Sequence, residues 1–238
     1  MHSTSIKIMC SPRFFLAFVL LAFGASLTSS EGPIWPDTYS IDFHEFMYGP
    51  VHKHPVIRDN DGKVWYDYAN LRARYDYYEP QNERLCQGQD LSPDKPDDTC
   101  HMIFAASGAM YTHYPNQKTC CKYCEPGMFC TVLFPYWMEN ATYMGTEMVN
   151  DVECQSYAIE GFQTNYWMQT DDGVPCRYSM PLPTDKFPII HDNKTYIRDT
   201  WSLEPIPDSV FEVPEYCETP CPNPLCPPVC PDKKMIQF

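Results

Sequence analysis

Apolar and polar residues alternate over several short segments of the chain, the pattern of β-strands with one buried face. Residues 34–47 show this alternation and predict the first strand. Residues 59–62 (Asp-Asn-Asp-Gly) favour a turn, because Asn, Asp and Gly tolerate positive φ, and a second strand is predicted from residue 63. A strand that includes residues 75–78 would complete a hairpin or meander over residues 42–78.

The pattern continues through the middle of the chain. Further strands are predicted at residues 102–105, 109–114, 146–150, 152–159, 164–170 and 176–180. The gaps between them are too short for helical crossovers, so we expect an antiparallel, meandering sheet. Residues 181–193 show no clear pattern, and residues 201–213 predict either a final strand or a short helix near residues 207–211.

Composition supports a mainly β fold class with few short helices. Aromatic residues make up 15% of the chain and favour strands, while 24 prolines disfavour helices. We predict a signal peptide at residues 1–30, one domain at residues 31–217 and a Pro/Cys-rich tail at residues 218–238, where closely spaced prolines cannot support a strand ladder.

The N-terminus has the layout of a signal peptide. Lys7 and Arg13 precede an apolar stretch at residues 14–25, and small residues follow at 26–30. About 12 helical residues span roughly 18 Å, less than the ~30 Å of a bilayer core. We therefore expect cleavage, no stable membrane insertion, and a secreted protein or one of the endomembrane lumen.

The cysteine count fits an oxidising compartment. Thirteen cysteines are present, and Cys10 lies inside the predicted signal peptide. The twelve that remain are predicted to form structural disulfides: Cys86, Cys100, Cys120, Cys121, Cys124, Cys130, Cys154, Cys176, Cys217, Cys221, Cys226 and Cys230. The spacing leaves their connectivity open. The alternatives, zinc binding and a redox Cys-x-x-Cys pair, lack the separated knuckles or the βαβ context that those sites need.

The net charge bears on possible partners, and two short motifs predict glycosylation. The net charge of −14 argues against nucleic acid as a partner, because phosphates would repel the chain. Asn140 and Asn193 each begin an N-x-T acceptor motif where a turn is predicted, so both are predicted glycosylation sites.

No motif indicates catalysis. The sequence contains neither a G-x-S-x-G elbow nor an H-E-x-x-H helix, and its acidic runs lack the order of a calcium-binding loop. His52 and His54 could bind a metal, but Lys53 and Pro55 favour a solvated loop. We therefore expect a protein that is not an enzyme, with no metal and no cofactor, although an activity on carbohydrate stays open.

Four segments carry a resemblance to a known family. They are residues 65–72 (WYDYANLR), 135–145 (PYWMENATYMG), 152–157 (VECQSY) and 214–217 (PEYC). In order and rough spacing they resemble a family of secreted plant and protist proteins of unknown function, which is more distantly related to the ependymin-related proteins.

The resemblance implies a LolA-like fold, a strongly curved antiparallel half-barrel of about ten strands that holds a hydrophobic ligand. An incompletely filled concave face would form an apolar pocket. The aromatic residues predicted to line it are Trp65, Tyr75, Tyr143, Tyr157, Trp167 and Tyr178. The expected function is binding of a hydrophobic small molecule or lipid, and the alternative is a structural or adhesive component of an extracellular coat.

Overall fold

A computed structural model describes residues 32–48, 58–83, 86, 99–127, 130–161, 163–182 and 190–222. The predicted signal peptide and most of the predicted tail lie outside these residues. The strands within them are β1 (Thr38–Tyr48), β2 (Arg58–Asp67), β3 (Arg72–Tyr77), β4 (Cys100–Phe104), β5 (Met110–Tyr114), β6 (Thr119–Cys124), β7 (Thr142–Val149), β8 (Val152–Ile159), β9 (Asn165–Gln169), β10 (Pro175–Leu182) and β11 (Ile190–Ser202).

All of these strands belong to one antiparallel sheet, in the order β6-β5-β4-β3-β2-β1-β11-β10-β9-β8-β7. The first and last strands pair in its middle, with Phe43 of β1 opposite Tyr196 of β11. In the described ranges the helical segments are short 3-10 turns: Tyr68–Asn70, Pro80–Asn82, Asp208–Phe211 and Glu215–Glu218. No helix there is long and apolar enough to cross a membrane.

The sheet is strongly curved. Phe104 of β4 and Trp167 of β9 line the same cavity, although six strand steps separate β4 from β9. In a flat sheet with about 4.8 Å between neighbouring strands, β4 and β9 would lie roughly 29 Å apart. The predicted fold class, a curved antiparallel half-barrel with few short helices, is therefore confirmed.

The turn predicted at residues 59–62 is wrong, because these residues lie inside β2. Gly62 allows a close approach there instead: a Cβ on this residue would collide with the carbonyl oxygen of Asp76 and with the ring of Phe43. Because Gly62 has no side chain, the Phe43 ring of β1 can pack directly against the backbone of β2 at this position.

Two strands gave no clear sequence signal. β6 lies in the cysteine cluster, and β11, the longest strand described, begins in the segment that showed no pattern. Polar residues such as Asp192 and Lys194 interrupt β11, which hides the alternation that marks the other strands.

Each of the ten cysteines within the described residues forms a disulfide. The pairs are Cys86–Cys100, Cys120–Cys217, Cys121–Cys221, Cys124–Cys130 and Cys154–Cys176. The cysteines of the predicted cluster at 120–130 are thus bonded as structural disulfides. Cys226 and Cys230 lie outside the described residues, so their pairing stays a prediction.

Two of these disulfides wrap the chain around one edge of the sheet. Neighbouring residues of a strand point to opposite faces, so Cys120 and Cys121 of β6 bond Cys217 and Cys221 on opposite sides of the sheet. Thr219 lies between Cys217 and Cys221 in the chain, and its carbonyl accepts a hydrogen bond from the backbone amide of Lys122. Residues 219–221 therefore cover the edge of β6, which would otherwise expose unpaired backbone groups.

Candidate ligand cavity

Strand alternation builds the concave face of the sheet. On β1 the side chains of Tyr39, Ile41 and Phe43 are at most 2% exposed and point to this face. Val64 and Tyr66 of β2 point the same way and are equally buried. An aromatic and aliphatic lining is what the alternation in residues 34–47 predicts for the buried side of a sheet.

The connection from β6 to β7 covers the concave face. These are the two edge strands of the sheet, so the chain between them must cross one of its faces. Its residues 130–141, which we call the roof segment, lie over the concave side. The hydroxyl of Tyr66 donates to the carbonyl of Leu133 over 2.7 Å, and the amide of Trp35 donates to the carbonyl of Pro135 over 2.9 Å. Met138 anchors the segment with 0% exposure.

A cavity of 240 Å³, which we call the inner cavity, remains between the sheet and the roof segment. It is lined by Trp35, Tyr66, Ala73, Tyr75, Tyr77, Met102, Phe104, Thr131, Val132, Leu133, Trp137, Trp167, Tyr178, Lys194 and Tyr196. Nine of these side chains are aromatic, and Lys194 is the one charged residue among them. Such a lining suits an apolar molecule with few polar groups.

Lys194 brings a buried ammonium group to the wall of this cavity. Its Nζ lies 3.5 Å from Oε2 of Glu45 and donates a hydrogen bond of 3.2 Å to the hydroxyl of Tyr77. The same Nζ is 4.4 Å from the ring centroid of Phe43 and 5.1 Å from that of Tyr75. The cation is therefore held by one carboxylate and by aromatic rings.

Acidic groups outnumber the ammonium in this region. Glu45, Glu83 and Asp192 are each at most 7% exposed. Burial, followed by repulsion from Glu45, raises the pKa of Asp192 to about 8, so its carboxyl group is protonated at pH 7. Burial acts to lower the pKa of Lys194, but attraction to its neighbours, Glu45 foremost, outweighs this and leaves that pKa raised.

A second cavity, the outer cavity of 610 Å³, adjoins the inner one. Leu133, Trp137 and Tyr178 line both cavities and form the partition between them. The outer cavity is also lined by Phe134, Tyr136, Glu139, Asn140, Ile159, Glu160, Gly161, Gln163, Asn165 and Met180. Its wall is thus apolar in part, with polar and acidic groups beside the aromatic rings.

The six aromatic residues predicted to line a pocket are not all brought together. Tyr75, Trp167 and Tyr178 line the inner cavity. Tyr143 and Tyr157 contact each other, with ring centroids 5.4 Å apart, and line neither cavity.

Trp65 points to the opposite face, since it alternates with the buried Val64 and Tyr66. There it stacks with the Arg74 guanidinium group, 5.2 Å from the ring centroid. Its face follows from counting residues along β2, a signal that the sequence already contained.

Three important lining residues had no place in the sequence prediction. Trp35 precedes β1, Trp137 belongs to the roof segment, and Lys194 lies in the polar strand β11. Trp35 begins the alternating segment 34–47 on the same parity as the buried Tyr39 and Phe43, so the pattern contained its signal. For Trp137 the available signal was its size and apolarity alone, because it lies in no alternating segment. A lysine inside an aromatic wall has no local signal, since its surroundings come from β1, β3 and β11.

The two predicted glycosylation sites differ in exposure. Asn140 is exposed at the end of the roof segment. Asn193 lies in β11 rather than in a turn, is 6% exposed, and accepts a hydrogen bond from Ser179 at its side-chain oxygen. Its side-chain nitrogen, where a glycan would be attached, is also buried.

We expect the secreted protein to carry an N-glycan on Asn140 and none on Asn193, because a glycan on Asn193 would have to occupy space within the fold. Peptide mass spectrometry after enzymatic deglycosylation in ¹⁸O water would locate the occupied sites. Asn140→Gln should remove the glycan, whereas Asn193→Gln should leave it. Glycopeptides that contain Asn193 in the folded protein would contradict this expectation.

Among the described residues no group of three or more His, Cys, Asp or Glu side chains is arranged to hold a metal ion. The predicted pair His52 and His54 lies outside the described residues. The charged cluster that lies beside the inner cavity is that of Lys194, Glu45 and Asp192.

No protein family model matches the chain, and no curated protein matches it significantly. Similar solved structures include an uncharacterized conserved protein from Thermus thermophilus, with a TM-score of 0.41 at 8% identity over 75% of this chain and 89% of that one. The Mycobacterium tuberculosis lipoprotein LppX has a TM-score of 0.37 at 10% identity over 71% and 88%. MucB, solved in complex with MucA, has a TM-score of 0.29 at 9% identity over 76% and 56%.

Proposed function

We propose that the protein binds a hydrophobic small molecule or lipid in the inner cavity, in an extracellular or lumenal compartment, and that it acts as a binding protein and not as an enzyme. The observation that carries this proposal is the aromatic cavity of 240 Å³ between the curved sheet and the roof segment. A protein interior normally packs without voids of this size.

Two further features support binding. The roof segment is fixed at one end by the disulfide of Cys130 and near the other by the buried Met138. Between these anchors it is joined to the sheet side by hydrogen bonds to Trp35 and Tyr66, so a local displacement there could admit a ligand and leave the sheet intact. The outer cavity beside the partition provides an approach from the surface. The disulfides fit an oxidising compartment, where such a carrier would operate.

Filling the cavity tests the proposal. Ala73 lines the inner cavity and is 1% exposed, so Ala73→Leu would place three more carbon atoms in the empty space. We expect the variant to bind the neutral apolar fluorophore N-phenyl-1-naphthylamine about tenfold more weakly, or 1.4 kcal/mol. Native mass spectrometry of protein purified from a eukaryotic secretory host should also show a bound ligand in the wild type.

Ala69→Leu is the matched control, because Ala69 is exposed in the 3-10 turn Tyr68–Asn70. This variant should bind the fluorophore like the wild type. Equal affinity of all three proteins, together with a ligand-free mass, would remove the proposal. Near-ultraviolet circular dichroism would show whether Ala73→Leu keeps the native fold.

A further inference from the structure

Two tryptophans that line the inner cavity have buried indole N–H groups without an acceptor among the described residues. Trp35 and Trp137 both line the cavity, and their rings contact edge to face at a centroid distance of 5.4 Å. Within the described residues neither indole N–H has a hydrogen-bond acceptor, and both nitrogens are shielded from solvent. Trp35 as a whole is 8% exposed.

Such a pair needs an explanation, because a buried tryptophan N–H usually finds an acceptor and an unpaired buried polar group costs free energy. Trp167, in the same wall, shows the usual situation: its N–H donates to the side-chain oxygen of Gln169. The tyrosine hydroxyls near the roof are also engaged, since Tyr66 donates to Leu133 and Tyr178 donates to Asn165. The acceptor missing for Trp35 and Trp137 can come from a ligand.

From this pair of donors we infer that the inner cavity takes an acyl ester or amide, with its carbonyl oxygen accepting from the Trp35 and Trp137 indoles and its acyl chain among the aromatic rings. A carbonyl oxygen has two lone pairs and brings no donor of its own, so it can accept from both indoles. A hydroxyl group would add a donor that needs a further acceptor.

The charges near the cavities disfavour a free carboxylate. Lys194 is already paired with Glu45 at 3.5 Å, and the burial and acidic surroundings that keep a proton on Asp192 would act in the same way on a ligand carboxyl. The outer cavity is lined by Glu139 and Glu160, with no lysine or arginine among its described lining residues. An anionic head group would therefore be desolvated without a free cation, whereas an uncharged head group would not.

Because this ligand class rests on the proposed function, the test must separate the two. Three probes with the same chain length serve: 1-lauroylglycerol, its ether analogue 1-O-dodecylglycerol, which lacks the carbonyl, and laurate. Displacement of the fluorophore at pH 7.5 measures their affinities below their micelle concentrations. The ester is expected to bind roughly two- to tenfold more tightly than the ether, the range of a neutral hydrogen bond, and laurate is expected to bind more weakly than the ester.

Trp35→Phe and Trp137→Phe remove each N–H and keep an aromatic ring. Both ligands would lose the same ring contacts, and only the ester would lose a hydrogen bond, so each variant should weaken ester binding roughly two- to tenfold more than it weakens ether binding. Trp65→Phe, on the opposite face of the sheet, is the control and should change neither affinity. The comparison of ester with ether on the wild-type protein needs no variant, so it stands even if one of them folds poorly.

The outcomes are distinct. If the ether binds as tightly as the ester, or if laurate binds better than both, the inferred ligand class is wrong while hydrophobic binding stands. If none of the probes displaces the fluorophore and Ala73→Leu has no effect on fluorophore binding, the proposed function fails as well.

Discussion

Replacing Lys194 by methionine is expected to lower the free energy of unfolding by about 3–5 kcal/mol, the usual cost of removing one partner of a buried ion pair. The substitution would leave Glu45, which is 7% exposed, without its cation beside Asp192 and Glu83. It would also remove the contact of the ammonium with the Phe43 ring. Urea unfolding followed by tryptophan fluorescence measures the change.

A more exposed ion pair on the same sheet provides the control. Nζ of Lys63 lies 3.0 Å from Oδ1 of Asp42, and these side chains are 26% and 32% exposed. Lys63→Met should cost no more than about 1 kcal/mol. The double variant Glu45→Gln with Lys194→Met should recover much of the loss, because it also removes the carboxylate that Lys194→Met leaves without its cation. Equal losses for Lys194→Met and Lys63→Met would show that the buried pair has no special role.

Replacing Asp192 by asparagine is expected to stabilise the protein, and the gain should grow as the pH rises from about 4 to about 8. Because the folded-state pKa is raised to about 8, the folded protein keeps a proton that the unfolded chain loses above pH ~4. In the wild type this group therefore lowers stability progressively over that interval. The variant cannot lose this proton, so it avoids the penalty. Its advantage should approach roughly 5 kcal/mol at pH 8, since each pKa unit corresponds to about 1.4 kcal/mol, and then level off.

The measurement is the difference in unfolding free energy between variant and wild type at several pH values. Taking the difference cancels the contribution of His101, whose pKa is lowered to about 3 by burial and by the neighbouring Arg74 and His113. Asp199→Asn is the control on the same strand, since Asp199 is exposed. If the difference in unfolding free energy between Asp192→Asn and the wild type did not change with pH, the raised pKa of the Asp192 carboxyl would be contradicted.

Local pattern predicted much of the sheet, because burial of one face imposes a period of two on each strand. This was sufficient for β1, β4, β5, β8 and β9, whose positions agree with the alternation within a few residues. The pattern predicted the wrong element where a residue type typical of turns is required for packing. The signal of residues 59–62 was that of a turn, yet Gly62 is required for close packing against Phe43.

The cavity was predictable only in part. Tyr75, Trp167 and Tyr178 line it because they occupy inward positions of alternating strands. Trp65 was assigned to the same set, although the alternation along β2 places it opposite Tyr66. Trp35 has the inward parity of the alternating segment 34–47 and could have been included. Trp137 lies in a segment without a regular period and acquires its position only when the roof segment crosses the sheet.

By itself the sequence determined the properties that depend on residue type and local spacing: an antiparallel β protein, many cysteines suited to disulfides, and inward aromatic rings. The tertiary structure alone decided which cysteines pair, that the chain between the two edge strands covers the concave face, and that Lys194 meets Glu45 inside an aromatic wall. These features join residues far apart in the chain, and only the order and curvature of the strands bring them into contact.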